Sequence, residues 1–342
     1  MLSERQMCAW VQHPGPEARV DFRSIELPKP GPGQVLIKLE ASGVCHSDCH
    51  SIYGNTPMTT HVAGHEGVGH VVDVGEDVPR SLMSTYVGVS WLYKACGQCD
   101  ICAVDYTYCP KQLNSGRNVP GTFQQYCLAD PDFITKIPAG LPAELAAPLL
   151  CGGISTYGAV IRANLSPGSF VVIPGAGGGL GHLGVQIAST LGHRVIAIDS
   201  ESKRDLCLAQ GAEQFFGLGL ANMVEQVQAA TSGGAHAVIC VAGAPAAYDV
   251  AVSMLRNCGK LVCVGIPPSS YRLAISPFEM LVKGIHIIGS TVGNRSQMRE
   301  LMKMAVDGKV KPRVTVFEFA ELPSILESLN KSKVEGRSVI RF

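Results

Sequence analysis

Charge of one sign is what this chain most plainly lacks. Its 342 residues carry 28 Lys+Arg against 28 Asp+Glu, and charged residues make up only 16% of the total. A balanced surface without a basic patch offers no field to draw nucleic acid or an anionic membrane, so the expected partner is a small molecule. Long apolar runs are missing too. No uninterrupted stretch approaches the roughly 18 residues of a spanning helix. The opening MLSERQMCAW places polar and charged residues where a secretory leader would be apolar. The expectation is a cytoplasmic protein with no membrane partner. By contrast, 46% of the residues are hydrophobic, which leaves no room for a largely disordered chain. The length suits two domains better than one core.

Cysteine is abundant, at 13 residues. A reducing cytosol works against disulfides, and a chain of this size does not need them as staples. The stretch CGQCDICAVDYTYC holds Cys96, Cys99, Cys102 and Cys109 at C-x2-C-x2-C-x6-C spacing. Such close thiolates match the soft, tetrahedral, all-sulfur sphere of zinc or an iron–sulfur centre. Four protein ligands leave no position for water or substrate, so this site folds its loop and does no chemistry. A second, dispersed set comprises Cys45 in GVCHSDCH, His65 in AGHEG and Cys151 in CGGISTYG. Two thiolates and one imidazole would leave a fourth position open for an alcohol oxygen. Spacing alone leaves this reading beside another, in which His65 caps a turn. Cys8, Cys127, Cys207, Cys240, Cys258 and Cys263 read as small hydrophobes.

The first 150 residues show short strands broken by Gly and Pro (GQVLIKLEASG, GVGHVVDVGED, TYVGVSWL), the pattern of a compact mostly-β domain. From residue 155 apolar strands alternate with helices. SFVVIPGAG, HRVIAID, QFF, AHAVICVAG, KLVCVGIPP and GIHIIGST read as strands, and GLGHLGVQIASTLG, SKRDLCLAQG, LANMVEQVQAAT and AAYDVAVSMLRNCG as helices. This is the signature of an α/β doubly wound nucleotide domain over residues 155–290. The tail returns to the first domain, which therefore comprises 1–154 and 291–342, with a metal lobe at 94–112. The turn GAGGGLG does not match G-x-G-x-x-G cleanly. Its useful spacing is Gly175, Gly178 and Gly181, which still lets pyrophosphate reach backbone N–H groups at a helix start. Asp199, closing the next strand, is placed to accept from an adenosine ribose, its alternative being a helix cap before SESK. That carboxylate favours NAD over NADP, although Lys203 and Arg204 keep NADP open.

Taken together, Cys45-His-Ser-Asp-Cys-His50, Gly64-His65-Glu66-Gly67, the four-cysteine lobe and Cys151 ahead of a nucleotide domain resemble the zinc-containing medium-chain alcohol dehydrogenases. The likeness spans essentially the whole chain. GTFQQY, SSYRLAISPF, STVGNR and EGRSV bring it nearest to the fungal and yeast tetrameric members. The resemblance implies a GroES-like mostly-β catalytic domain beside a Rossmann domain, two zinc ions per subunit, NAD(H), and a homotetramer, with a homodimer as the alternative. It implies that Cys45, His65 and Cys151 hold catalytic zinc and that Cys96, Cys99, Cys102 and Cys109 hold structural zinc. Ser47 would take the alcohol's proton and pass it, through the nicotinamide ribose, to His50; the bland role for Ser47 is a turn hydroxyl. Asp48 would orient the zinc-bound imidazole, and is otherwise a turn cap. Glu66 would lie behind the zinc. His46 and Arg337 would face the pyrophosphate. Arg295, otherwise a solvated helix start, would lie near the nicotinamide end. The remaining cofactor contacts would be Gly175, Gly178, Gly179, Leu180, Gly181, Asp199, Lys203, Val264, Ile266, Ser290 and Val292.

Three departures stand out. The Cys102 to Cys109 spacing is one residue shorter than usual in the family. Ser84-Thr85 replaces a Gly-Asp pair. At pocket positions where yeast-type enzymes carry tryptophans, Ile52 and Thr56 stand instead, with Trp91 retained. Smaller side chains predict acceptance of longer primary, branched or aromatic alcohols. The reading is a zinc- and NAD-dependent dehydrogenase interconverting alcohols and aldehydes. Its rivals are a secondary-alcohol or polyol dehydrogenase of the same fold, a non-catalytic zinc- and nucleotide-binding relative and, last, a nucleic-acid-binding zinc protein.

Overall fold

The structure, a computed structural model, describes residues 4–331 and 333–342. The chain divides into two compact units. One runs to Cys151 and takes back Asn294–Val306 and Pro312–Phe342; the other comprises Gly152–Gly293 and Asp307–Lys311.

In the second unit six strands form one sheet, in the order Gln214–Gly217, Arg194–Asp199, Phe170–Pro174, Ala235–Cys240, Leu255–Cys263, His286–Gly289. Every neighbouring pair is parallel. Numbered along the chain this is third, second, first, fourth, fifth, sixth, the doubly wound order. The central strands can be continuous hydrophobic runs because helices cover both faces of a parallel sheet. Val171, Val172, Ile173, Val195, Ile196 and Ala197 are wholly buried. The order reverses between Phe170–Pro174 and its neighbour Ala235–Cys240, and the glycine turn leaves the sheet at that point.

One expected helix is shorter than its periodicity predicts. In AAYDVAVSMLRNCG the helix Pro245–Ala251 passes into a 3-10 turn at Val252–Met254, and Leu255 already begins a strand. Leu255 pairs with Ala235 whereas Ala237 pairs with Lys260, so Arg256–Gly259 bulges out of the ladder. Cys258 there has φ 60. The bulge interrupts the alternation by which a strand is recognised, and the apolar spacing before it continues helically.

The first unit is built on a seven-stranded sheet. Along its main path the order is Val314–Glu318, Arg337–Arg341, Val35–Val44, Gly67–Val74, Tyr86–Val89, Thr135–Lys136, and Tyr126–Ala129 also pairs with Val35–Val44. The tail strand Arg337–Arg341 runs antiparallel to Val35–Val44, with Ser338 opposite Val44. A separate hairpin, Arg5–Gln12 with Arg19–Glu26, packs Cys8, Ala9 and Val11 into a core with Val44, Cys49 and Ile340.

Strand Val35–Val44 leads directly into a helix, His46–Ile52, where the sequence suggested a turn. Asp48 explains the helix. Its Oδ2 accepts from the backbone N–H of Cys45 at 2.9 Å, while Asp48 N–H donates to Cys45 O at 3.0 Å. The Asp48 carboxylate thus supplies one half of a capping box, with the Cys45 carbonyl accepting where a side-chain hydroxyl usually does. Among the described residues no single helix is long and apolar enough to cross a membrane.

Candidate active site

Cys45, His65, Glu66 and Cys151 bring one ligating atom each to within 4.8 Å of the others, and all four are buried. Cys45 Sγ lies 3.9 Å from Cys151 Sγ, and His65 Nε2 lies 3.2 Å from Cys151 Sγ. A tetrahedral ion with sulfur ligands at about 2.3 Å sets its sulfurs about 3.8 Å apart, so the thiols stand at zinc-chelating separation. Asp48 ties the ligand loops together. Its Oδ1 accepts from His65 Nδ1 at 2.9 Å and from Gly64 N–H at 3.1 Å, and its Oδ2 takes Cys45 N–H. With Nδ1 committed to a carboxylate, Nε2 is the ring nitrogen turned toward the sulfurs and the one a metal would take.

The electrostatics favour a cation. Burial pushes the His65 imidazolium toward the neutral form, but Asp48, helped by Cys45, outweighs it and holds its pKa well above the ordinary range. The Cys151 hydrogen bond, seconded by Arg337 and His65, outweighs burial and holds Cys45 well below the usual thiol range, while Cys45 and burial push Cys151 up. A dication would stabilise both as thiolates. Burial pushes the Glu66 carboxyl up to about 7 against the lowering pull of Arg337. One Glu66 oxygen pairs with Arg337 Nη2, and the other, Oε2, is buried with no partner. A Cβ at Gly43 would overlap that oxygen, so only glycine leaves room for it. An orphaned carboxylate oxygen beside two thiols and an imidazole fits a resident metal ion.

His46, Ser47 and His50 are half-buried on helix His46–Ile52, whereas Asp48, Cys49, Ser51 and Ile52 are buried. Ser47 and His50, three positions apart, lie on one helix face. Ser47 Oγ is 3.7 Å from Cys45 Sγ. The His50 ring sits 5.0 Å from that of His46, and its Nδ1 is 3.2 Å from Asn55 Nδ2. Burial, then His46, lowers the His50 pKa below 6.5. Of the three pocket residues, Trp91 meets His65 edge-on at 5.1 Å, and Thr56 Oγ1 lies 3.2 Å from Ser51 Oγ. Ile52 is wholly buried in the core that contains Cys49, Val62 and Phe123.

The four-cysteine lobe closes on itself. Cys96 Sγ stands 3.8 Å from Cys102 Sγ and 3.6 Å from Cys109 Sγ, and all four thiols lie within 4.8 Å of one another. A helix at Asp100–Asp105 gives way to a 3-10 turn at Tyr106–Tyr108, in which Asp105 Oδ1 accepts from both N and Oγ1 of Thr107. The steeper rise of a 3-10 turn, about 2.0 Å per residue, lets the short spacing reach Cys109. Cys96, held down to about 6 by the Gln98 backbone and Cys99, favours the thiolate that a metal requires.

In the nucleotide-type unit the turn after Phe170–Pro174 holds Gly175 at φ 81, and helix Gly181–Thr190 follows. A Cβ on Gly181 would strike Gly175 O and Ala176. Gly178, Gly179 and Leu180 complete this turn, leaving N–H groups at the helix start for an anion. Asp199 already serves it: Oδ2 accepts from Gly177 N–H at 2.8 Å, Oδ1 accepts from Ser200 N–H at 2.7 Å, and Lys203 Nζ stands 3.7 Å away. Val264 and Ile266 follow strand Leu255–Cys263, with Val264 N–H on Cys240 O, and Ser290 N–H bonds Cys263 O. Ser290 Oγ and Val292 O both accept from Arg162 Nη1, at 3.2 and 2.9 Å. The structure thus gathers these residues in one unit. His46, Arg337 and Arg295 belong to the other, where the Arg295 guanidinium lies 4.6 Å from the Phe133 ring centroid. Arg162 and Tyr106, whose hydroxyl accepts from Arg295 N–H, escaped the sequence reading. Arg162 sits in no motif and Tyr106 is no ligand of the cysteine motif that contains it, and contacts across more than a hundred residues leave no local signal.

A thiolate–imidazole metal cluster on a chain that also carries a doubly wound sheet defines a metal-dependent dehydrogenase. Comparison with known proteins narrows the class. Residues 31–139 match the alcohol dehydrogenase GroES-like domain, and residues 179–307 match the zinc-binding dehydrogenase domain. An alcohol dehydrogenase of Schizosaccharomyces pombe is 39% identical over 99% of this chain and 98% of its own. One from Rhizobium meliloti is 40% identical over 93% and 94%. The structure of acetophenone reductase from Geotrichum candidum in complex with NAD superimposes with a TM-score of 0.87 at 30% identity, covering 100% of this chain and 98% of that one. The chain belongs to the zinc-containing medium-chain alcohol dehydrogenases. Its fungal and bacterial relatives are similar to the same degree, so the matches define the family and not a fungal branch of it.

Proposed function

We propose that the protein oxidises primary alcohols to aldehydes, reversibly, with NAD as hydride acceptor, and that its range extends to medium-chain, branched and aromatic alcohols. The observation that carries this reading is the cluster of Cys45, His65 and Cys151 with the unpartnered Glu66 oxygen. When bound, zinc supplies a Lewis acid at the cluster and NAD a hydride acceptor. Cys45 and Cys151 as thiolates offset the charge of a dication while His65, aimed by Asp48, completes three ligands. Ser47 Oγ accepts the alcohol's proton, and His50, on the same helix face and neutral near pH 7, receives it for release to solvent. Asp199 accepts from the adenosine ribose hydroxyls and disfavours a 2'-phosphate, an effect that Lys203 softens. His46, Arg295 and Arg337 are read as further cofactor contacts, and Ile52, Thr56 and Trp91 as the substrate wall. Cytoplasmic location and a homotetramer belong to the same reading, with a homodimer as its alternative.

A spectrophotometric screen of alcohols and aldehydes with NAD(H) and NADP(H), before and after chelation, tests this. The expected result is NAD-linked turnover lost on chelation, with kcat/KM for hexanol and benzyl alcohol equal to or above that for ethanol. Activity on ethanol alone would sink the substrate proposal, and an absence of nicotinamide turnover in zinc-replete protein would sink the whole. Ser47→Ala should lower kcat by about 10²- to 10⁴-fold with zinc retained; an unchanged rate removes Ser47 from the relay.

A further inference from the structure

We infer that the Tyr106 hydroxyl, on the four-cysteine lobe, is a positioning group for the cofactor-contact segment Ser290–Arg295. The inference rests on the cofactor reading of Ser290, Val292 and Arg295 given above.

Three observations carry it. Tyr106 occupies the 3-10 turn just before the last lobe cysteine, so its place is set by the closure of Cys96, Cys99, Cys102 and Cys109. Its hydroxyl accepts from the backbone N–H of Arg295 at 2.6 Å, across 189 residues of sequence. That N–H is one of the groups at the start of helix Arg295–Val306 that no helical carbonyl can satisfy. The same turn of helix is held in other ways: the Arg295 guanidinium lies over Phe133 and 5.9 Å from the Tyr106 ring, and Tyr106 meets Phe133 edge-on at 6.1 Å. Asn294 and Gln297 exchange reciprocal hydrogen bonds, Asn294 N–H to Gln297 Oε1 at 2.8 Å and Gln297 N–H to Asn294 Oδ1 at 3.0 Å. These fix the helix start internally, and Tyr106 fixes it to the lobe.

At its other end the segment is held by a different group. Arg162 Nη1 donates to Ser290 Oγ and Val292 O. The six residues from Ser290 to Arg295 thus run between two tethers, and the chain passes from one compact unit to the other at Gly293 and Asn294. A segment restrained at both ends meets a ligand with its ordering cost already met, which lowers KM without touching the chemical step. The lobe, which has no open ligand position, would thereby contribute to cofactor affinity through a phenol.

Tyr106→Phe isolates the claim, since it keeps the ring on Phe133 and Arg295 and deletes only the hydroxyl. Hydrogen exchange of the amides of residues 294–298, zinc per chain, and kcat and KM for NAD are read together. Amide exchange should quicken and KM for NAD rise by about three- to tenfold, the shift that one net hydrogen bond carries, with kcat within about twofold. Zinc content should not change. Arg162→Gln, at the other tether, should give the same rise in KM at constant kcat. Unchanged exchange or an unchanged KM in Tyr106→Phe overturns the inference, as does loss of lobe zinc, which would make the hydroxyl part of the lobe's own fold. If the dehydrogenase reading itself were wrong, the unsubstituted protein would show no NAD turnover, whereas the exchange measurement would still decide whether the tether exists.

Discussion

The two metal clusters are assembled over very different lengths of chain. In the lobe the outermost ligands, Cys96 and Cys109, are 13 positions apart, and three of the four cysteines are half-exposed. In the dispersed cluster Cys45 and Cys151 are 106 positions apart and every member is buried. The lobe needs only its own loop to form. The other cluster needs a strand delivering Cys45, a loop around Gly64 held by Asp48, and the buried 3-10 turn Ala147–Leu150 delivering Cys151. Four sulfurs close a site, whereas two sulfurs and an imidazole beside an unpartnered carboxylate oxygen leave it able to accept an exchangeable ligand. On the proposed reading the local cluster serves stability, and the dispersed one, already dependent on the fold, serves chemistry.

The sharpest way to break that division is to remove one thiolate from each cluster. Cys151→Ser should release half of the zinc and lower kcat/KM by at least about 10³-fold, since a Lewis acid contributes several kcal/mol to a developing alkoxide. Cys109→Ser should also release half of the zinc, but its main effect should be a melting temperature lowered by about 5 °C or more, with the folded fraction still turning over. Metal analysis, thermal melts and initial rates distinguish the two. A Cys109→Ser protein as inactive as Cys151→Ser at a temperature where it is folded would erase the distinction.

This contrast also governed what could be read from sequence. The doubly wound unit was legible because each strand is an apolar run and each glycine turn is local. The lobe was legible for the same reason. Cys45, His65 and Cys151 were not a set by spacing and became one only through resemblance to a family. Asp48 shows the limit in another way. Its aspartate suggested a turn cap or a partner for one imidazole, and the structure has it accept from Cys45 N–H, Gly64 N–H and His65 Nδ1 together, opening a helix where a turn was expected. One donor is local, but the other two come from a single loop 16 and 17 positions away, and nothing in the spacing announces that convergence. The bulge at Arg256–Gly259 was hidden for the opposite reason, since its local pattern imitates a helix.

Asp48 therefore offers the next test of how far the dispersed cluster depends on its surroundings. Asp48→Asn keeps the shape and two of the acceptor contacts but removes the charge that favours a donating His65 Nδ1–H. Loss of such a partner typically costs about 10- to 100-fold in metal affinity. Chelator competition should show that weakening for one zinc only, with the lobe zinc released at its former rate. Equal weakening at both sites would mean that Asp48 acts on the fold as a whole and not on the His65 ligand.

The smallest expected effect concerns the relay, which borrows its helix from the same cluster. In the proposed relay His50 must be neutral to accept the proton, so the rate should fall as pH drops through the His50 pKa. Burial first, and then the neighbouring His46, lowers that pKa below 6.5. The acid limb of kcat should therefore lie below pH 6.5. His46→Gln deletes the second of these causes and leaves the first, so the His50 pKa should rise toward, but not beyond, its ordinary value, and the limb should move to higher pH by less than about one unit. His50→Gln should remove the limb altogether while leaving zinc in place. A pH–rate profile of the three proteins settles the matter. A limb that does not move in His46→Gln and survives in His50→Gln belongs to a group on the metal side, and the proton then leaves by a path that does not use this helix face.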